Sequence, residues 1–155
     1  GYYLAELIAH MTVESDVNKN LFRVIENGFN ALNHSNKEVI ACAFAWQLVN
    51  EIGYHPQLFS CVKCNKKLDS GDISFSALQG GLIDGCCYAP DALSIQTDTI
   101  KIIRVAASNI DVFQKLKIPP AIVAEFVQVT KRYISEIVER EIKADKFVEV
   151  TNKLK

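Results

Sequence analysis

Cys61 and Cys64 form a C-x-x-C turn, and Cys86 and Cys87 stand side by side some twenty residues on. These are four of the chain's five cysteines, so the thiols are gathered rather than scattered. A C-x-x-C turn presents two thiolates to one point, which is half of the tetrahedral set that zinc takes. The other half must come from residues 84 to 87. A regular second pair would carry its first ligand at position 84, where Asp84 stands. Carboxylate oxygen is an acceptable zinc donor. Two sets therefore stay open: Cys61, Cys64 and Cys87 with Cys86, or the same three with Asp84. His55 is a more remote candidate, upstream of the first pair. The plain alternatives are a metal-free loop with free thiols and an oxidised Cys61–Cys64 pair.

A catalytic metal would need an open coordination position and a nearby general base. No His or Glu accompanies these cysteines at a motif-like spacing. A redox C-x-x-C belongs at a helix start, after a strand, in a βαβ setting. The surroundings here are instead glycine-rich: Gly71, Gly80, Gly81 and Gly85 fall in this stretch, four of the chain's seven. A metal at this place is expected to be structural, because a short insert with few core residues gains its stability from the ligands it ties together. No Ser-His-Asp set, Walker loop or G-x-G-x-x-G is present, and the chain is not read as an enzyme. Cys42 lies in an apolar run and is expected to be core.

The elements that must position the cysteines read as helices. Tyr3, Leu4, Leu7, Ile8 and Met11 repeat at helical spacing, and Leu21, Val24, Ile25, Phe29 and Leu32 predict a second helix. Ser35 and Glu38 match a capping box ahead of a third. That third helix is apolar nearly all round from Val39 to Trp46, which predicts a central position, and Gly53 is its expected terminator. "DISFS" is the plausible strand of the cysteine region, with "GGLID" as its partner. Helix resumes near Asp91 and continues, with breaks, through "TDTIKIIRVAASN" and "IDVFQKLKI". Pro119 and Pro120 open the longest helix. "ADKFVEVTNKLK" reads as a short terminal segment docking through Phe147 and Val150. The expected fold is mainly α: a helical bundle formed by residues 1–60 and 88–155, with a small zinc-ribbon-like β element inserted at 61–87. The chain enters its first helical pattern directly from Gly1, without an initiator Met, and so reads as a fragment of a longer protein.

The 155 residues fit one domain carrying a small insertion, and 49% apolar against 23% charged residues is an ordinary soluble balance. The net charge of -1 gives no general affinity for nucleic acid, so any such contact needs a local patch. Lys131, Arg132, Arg140, Lys143 and Lys146 on the last helix make the best one, with a solvated helix face as the plain alternative. Lys63, Lys66 and Lys67 cluster beside the first cysteine pair but are offset by Asp69, Asp72 and Asp84. No apolar run is long enough to span a bilayer. No secretory signal pattern is visible, which favours reduced thiols or a metal over a disulfide framework.

Three stretches together resemble the C-terminal region of the RecO family of bacterial recombination mediators. "YYLAELIAHM…NKNLFRVIENGFNAL" is similar to that region's first helices. "EIGYHPQLFSCVKCNKKL" and "FSALQGGLIDGCC" are similar to its Gly-Tyr-x-Pro element, first cysteine pair and F-S-x-x-x-G-G-x-x-C-x-x-C. "YISEIVEREIKADKFV" is similar to its closing helix. The departure is at the second pair, where the family's first cysteine falls on Asp84, its second on Cys87, and Cys86 is extra. The resemblance implies an N-terminal OB-fold ahead of these residues that carries most DNA binding. It implies strand annealing and, with RecR, the loading of RecA onto DNA coated by single-stranded-DNA-binding protein, in the bacterial cytoplasm. It also implies that the helical region docks the acidic C-terminal tail of that coating protein. A pocket for such a tail needs a basic rim, for which Arg104, Lys131 and Arg132 are the candidates. Two other functions remain as alternatives: a stand-alone zinc-ribbon DNA-binding regulator, and a C-x-x-C redox protein.

Overall fold

A computed structural model describes residues 23, 24, 26, 37–68 and 70–153, with side chains described as far as 143. The first expected helix and the Ser35 capping box lie outside the described residues. Of the second, Arg23, Val24 and Glu26 are helical.

Helix α1 spans Lys37–Glu51, and Val39, Ile40, Cys42 to Trp46, Leu48 and Val49 are all buried on it. A helix apolar on every side is stable only when covered on every side, and α1 is accordingly the centre of the bundle. It ends in a Schellman motif. Gly53, at φ 93°, donates its N–H to Asn50 O at 3.2 Å, and the N–H of Tyr54 reaches Val49 O at 2.9 Å. The left-handed conformation needed there is the one glycine adopts without penalty.

The cysteine-bearing segment follows, built on a three-stranded antiparallel sheet in the order β2-β1-β3. Strand β1 is Ile73–Ser76 and β2 is Gly81–Asp84, in the register Ile73 to Asp84 and Ser76 to Gly81. Both expected strands therefore form and pair. Strand β3, Leu93–Ser94, was not expected: this stretch is extended and pairs with β1 through Phe75–Leu93, so helix resumes only at Thr97. Gly81 is needed for close approach. A Cβ there would lie 2.6 Å from Gln57 O, against which the β2 backbone pairs.

Helix α2 runs Thr97–Ser108 and α3 is the single turn Ile110–Phe113. Helix α4 begins at Pro120 and runs unbroken to Lys153. The expected separate terminal segment is thus the end of α4. Docking through Phe147 and Val150 concerns side chains outside the described ones.

One core joins all of this. Trp46 stacks on Tyr133 of α4 with ring centroids 5.2 Å apart, and Phe75 of β1 meets both edge-on at 5.9 and 5.5 Å. The Trp46 indole donates to Thr130 Oγ1 at 2.8 Å, and that hydroxyl donates to Phe126 O at 2.6 Å, so both polar groups are satisfied inside the core. Ile73, Phe75 and Leu82 belong to this same core, so the sheet is a layer against the helices and holds the cysteine loops in place. Among the described residues no helix is long and apolar enough to cross a membrane.

Candidate metal centre

The first cysteine pair sits in a tight knuckle. Cys61 N–H donates to Lys66 O and Asn65 N–H to Cys61 O, each at 2.9 Å, while Asn65 takes a positive φ of 60°. Asn tolerates this conformation better than most side chains do. The knuckle is fastened to β2 by the N–H of Val62, which reaches Leu82 O at 2.9 Å. The second pair sits where β2 turns away. Cys87 N–H donates to Asp84 O at 2.8 Å, a turn with Gly85 and Cys86 at its corner. That turn allows adjacent cysteines to face one place: Cys86 Sγ and Cys87 Sγ are 3.8 Å apart.

The thiols converge. The Sγ atoms of Cys61, Cys64 and Cys87 all lie within 4.8 Å of one another. A second group, Cys64, Asp84 and Cys86, meets the same limit and shares Cys64. A tetrahedral zinc with bonds of about 2.3 Å sets its sulfurs about 3.8 Å apart. The Cys86–Cys87 separation matches that edge, and the three-sulfur group is gathered within 4.8 Å. The cluster fits a metal ion of this kind. His55, an exposed side chain, is in neither group.

The electrostatics point the same way. Cys61 is fully buried, which raises its thiol pKa, but backbone N–H groups of Asp84, Cys64 and Lys63 outweigh this and bring it down to about 7. Two of these contacts are N–H···S bonds, from Asp84 at 3.3 Å and Lys63 at 3.4 Å. Cys87 goes the other way, to about 12, through desolvation and hydrogen bonds with the other thiols and the charge on Cys61. Packed thiols resist ionising together, and a divalent cation removes that resistance. Lys66 Nζ lies 2.8 Å from Asp84 Oδ2, and this contact holds the carboxyl below its usual range. A metal with four thiolates carries net negative charge, so this lysine is placed to offset it. Pairing of Lys66 with buried Asp84 was not foreseen, although both residues stood out in the sequence as opposing charges.

The other candidate residues are dispersed. Arg104 is half-buried and turned inward. It donates Nε and Nη2 to Leu58 O at 2.9 and 2.6 Å, and Nη2 to Leu68 O at 3.3 Å. Its guanidinium also lies 4.5 Å from the Phe59 ring centroid. Lys131 pairs with Glu38 at 2.6 Å, Arg140 with Glu136 at 3.1 Å and Lys143 with Glu139 at 3.7 Å. Arg140 also donates to Leu78 O, which ties α4 to the β1–β2 turn. Arg132 is exposed, in the field of Asp91. The side chain of Lys146 is outside the described ones.

The sequence model of the family described as "Recombination protein O C terminal" matches residues 1–146. The chain belongs to the RecO family. Among its relatives is a DNA repair protein RecO of Roseiflexus sp. (strain RS-1), 29% identical over 153 residues, which cover 96% of this chain and 54% of the relative. A DNA repair protein RecO of Alkaliphilus metalliredigens is 32% identical over 143 residues, covering 89% and 58%. One of Desulforamulus reducens is 23% identical over 150 residues, covering 95% and 59%. The chain thus spans a little over half the length of these RecO relatives. The expected family and the expected mainly helical fold with a small sheet at the cysteines are both borne out.

Proposed function

We propose that this chain is the C-terminal interaction module of a RecO-like recombination mediator in DNA repair, a mediator and not a catalyst. The carrying observation is the family match over residues 1–146. In this reading the whole protein anneals complementary strands and, with RecR, loads RecA onto DNA coated by single-stranded-DNA-binding protein. The work belongs to the bacterial cytoplasm, and DNA is held mainly by an OB-fold preceding these residues.

Within this role, residues 61–87 act as a zinc-held element mounted on the helical unit of residues 1–60 and 88–155. Cys61, Cys64 and Cys87 with Cys86 would hold the ion, and Lys66, paired with Asp84, would offset the negative charge of the thiolates. When bound, zinc would supply a cross-link between the 61–66 knuckle and the 84–87 turn. The chain's own residues do the remaining work: buried Cys61 anchors the site, and backbone N–H groups stabilise its thiolate.

The partner tail is acidic and ends in an apolar residue. An apolar groove of about 380 Å³ supports a docking place, with Ile118, Pro120, Val123 and Val127 on its walls. Glu38 also lines it and holds Lys131. An acidic peptide would compete with Glu38 for that lysine, and Arg132 follows on the same helix. Arg104 is the weakest of the three rim candidates, since its donors are already engaged. The ribbon lysines give little support to a stand-alone DNA-binding regulator, because Lys66 is paired to Asp84. Cys61 and Cys64 lie in a turn rather than at a helix start, which weighs against a redox enzyme.

Fluorescence anisotropy with a labelled peptide of the tail's sequence tests the docking role. Saturable binding, weakened by Lys131→Ala or Arg132→Ala and restored by lower salt, is expected. A wild-type chain that does not bind the peptide removes the role from this region.

A further inference from the structure

The four thiols are not held alike. Cys61 is buried and receives two N–H···S bonds, and it groups with Cys64 and Cys87 within 4.8 Å. Cys86 is exposed, at the corner of the 84–87 turn. It groups with Cys64 and lies 3.8 Å from Cys87, but it is not in the group that holds Cys61. Asp84 reaches the same place from the other side of the turn. Its carboxylate groups with Cys64 and Cys86, its Oδ2 is 3.5 Å from Cys86 Sγ, and its backbone N–H lies 3.3 Å from Cys61 Sγ.

We propose that the centre has an exchangeable fourth ligand, with Cys86 in the resting set and Asp84 as its built-in replacement. This rests on the metal reading above and assigns both residues to one position. In the exchange the Cys86–metal bond breaks and the departing thiolate takes a proton from solvent. A carboxylate oxygen of Asp84 then forms the new bond. A thiolate and a carboxylate each carry one negative charge, so the metal keeps four anionic donors, while the protonated Cys86 leaves the whole site one unit less negative and Lys66 stays beside Asp84 in both states. Oxygen is a legitimate though harder donor than sulfur, so the sulfur-bound state is preferred and the oxygen-bound state retains the metal. Cys86 thereby becomes a thiol that can be modified without emptying the site, a property a rigid four-cysteine set lacks.

Cobalt(II) reports on this directly, because its spectrum counts the thiolates around it. The full chain is stripped by chelation under reductant and titrated with cobalt(II) alone. Wild type should take one equivalent with a four-thiolate spectrum. Cys86→Ala should still take one equivalent, with d–d bands moved to shorter wavelength and thiolate charge-transfer intensity lower by about a quarter. Its affinity should fall about 10–100-fold. The double variant Cys86→Ala/Asp84→Asn should lose stoichiometric binding. Loss of binding in Cys86→Ala alone, with its helical circular dichroism intact, overturns the exchange, as does a spectrum identical to wild type. No uptake by wild type overturns the metal reading itself. A second measurement avoids variants: iodoacetamide on the zinc-loaded chain should label Cys86 first with the ion retained in native mass spectrometry. Loss of the ion upon that labelling overturns the proposal.

Discussion

The guanidinium of Arg104 on α2 closes over the carbonyl oxygen of Leu58 with two N–H groups, at 2.9 and 2.6 Å. It thereby bolts the chain just ahead of the cysteine knuckle onto the bundle. A charged donor to a buried carbonyl contributes more than a neutral one. Arg104→Ala should destabilise the fold by about 2 kcal/mol, read from urea unfolding. Arg104→Lys should recover only part of it, since an ammonium cannot reproduce the forked contact. Equal stability of Arg104→Ala and wild type would mean that the bolt carries no weight.

Metal removal should act locally. Chelation of zinc-loaded protein should make Cys61, Cys64, Cys86 and Cys87 reactive toward a disulfide reagent. Cys42, buried in α1 with its thiol pushed to about 11 by desolvation, should react only on unfolding. The thermal midpoint should fall by roughly 10 °C as the ligand's contribution is lost. Five thiols reacting at one rate, before and after chelation, would contradict this.

Thr130→Val tests the core's polar link. The change keeps side-chain volume but leaves the Trp46 indole N–H, which is 1% exposed, without its acceptor. A buried donor stranded in this way should cost about 2 kcal/mol. Trp46 is the chain's only tryptophan, so its fluorescence follows the transition without other signals. A cost near zero would show that the indole finds another partner.

Asp91 gives a pH dependence of defined sign. Burial raises its pKa, but the Ser76 hydroxyl, the Leu78 N–H, its own N–H and the charge of Arg132 outweigh this and leave it below the ordinary carboxylate value. The Ser76 and Leu78 contacts are 2.6 and 2.9 Å long. A carboxylate depressed in the folded state stabilises above its unfolded pKa of about 3.9, and loses that contribution as pH falls through the folded value. Asp91→Asn should therefore be less stable than wild type at pH 7, and the gap should narrow through the region below pH ~4. A gap of constant size across that range would remove the carboxylate from the explanation.

Affinity for DNA should be low in this chain. The net charge is -1, and three of the cations on α4 are paired with glutamates. Binding to single strands should be weak, with a slope of log affinity against log salt no steeper than about -2. A steep slope would mean that these pairs open to release their cations to phosphate.

Much of this protein is written locally in the chain. The all-apolar run of α1 demands a covered helix, and Gly53 supplies the left-handed residue that ends it. The C-x-x-C and the glycine doublet announce a knuckle and a hairpin. Each signal spans a few residues, because turn conformation and helical periodicity depend on near neighbours. Strand β3 escaped notice because two residues carry no periodicity, and its existence depends on the edge of β1. The use of the charged side chains lay further out of reach. Arg104 finds Leu58 across 46 residues, Lys131 finds Glu38 across 93, and Glu125 of α4 accepts the N–H of Gln96 at the start of α2 across 29. The carbonyls that Arg104 and Arg140 bind belong to leucines, whose side chains give no sign of an acceptor. Any residue offers the same carbonyl, so packing alone selects which one meets a charge. The choice between Cys86 and Asp84 is undecided in the sequence for a related reason: both are acceptable donors by type, and it takes the turn at Gly85 to gather both with Cys64.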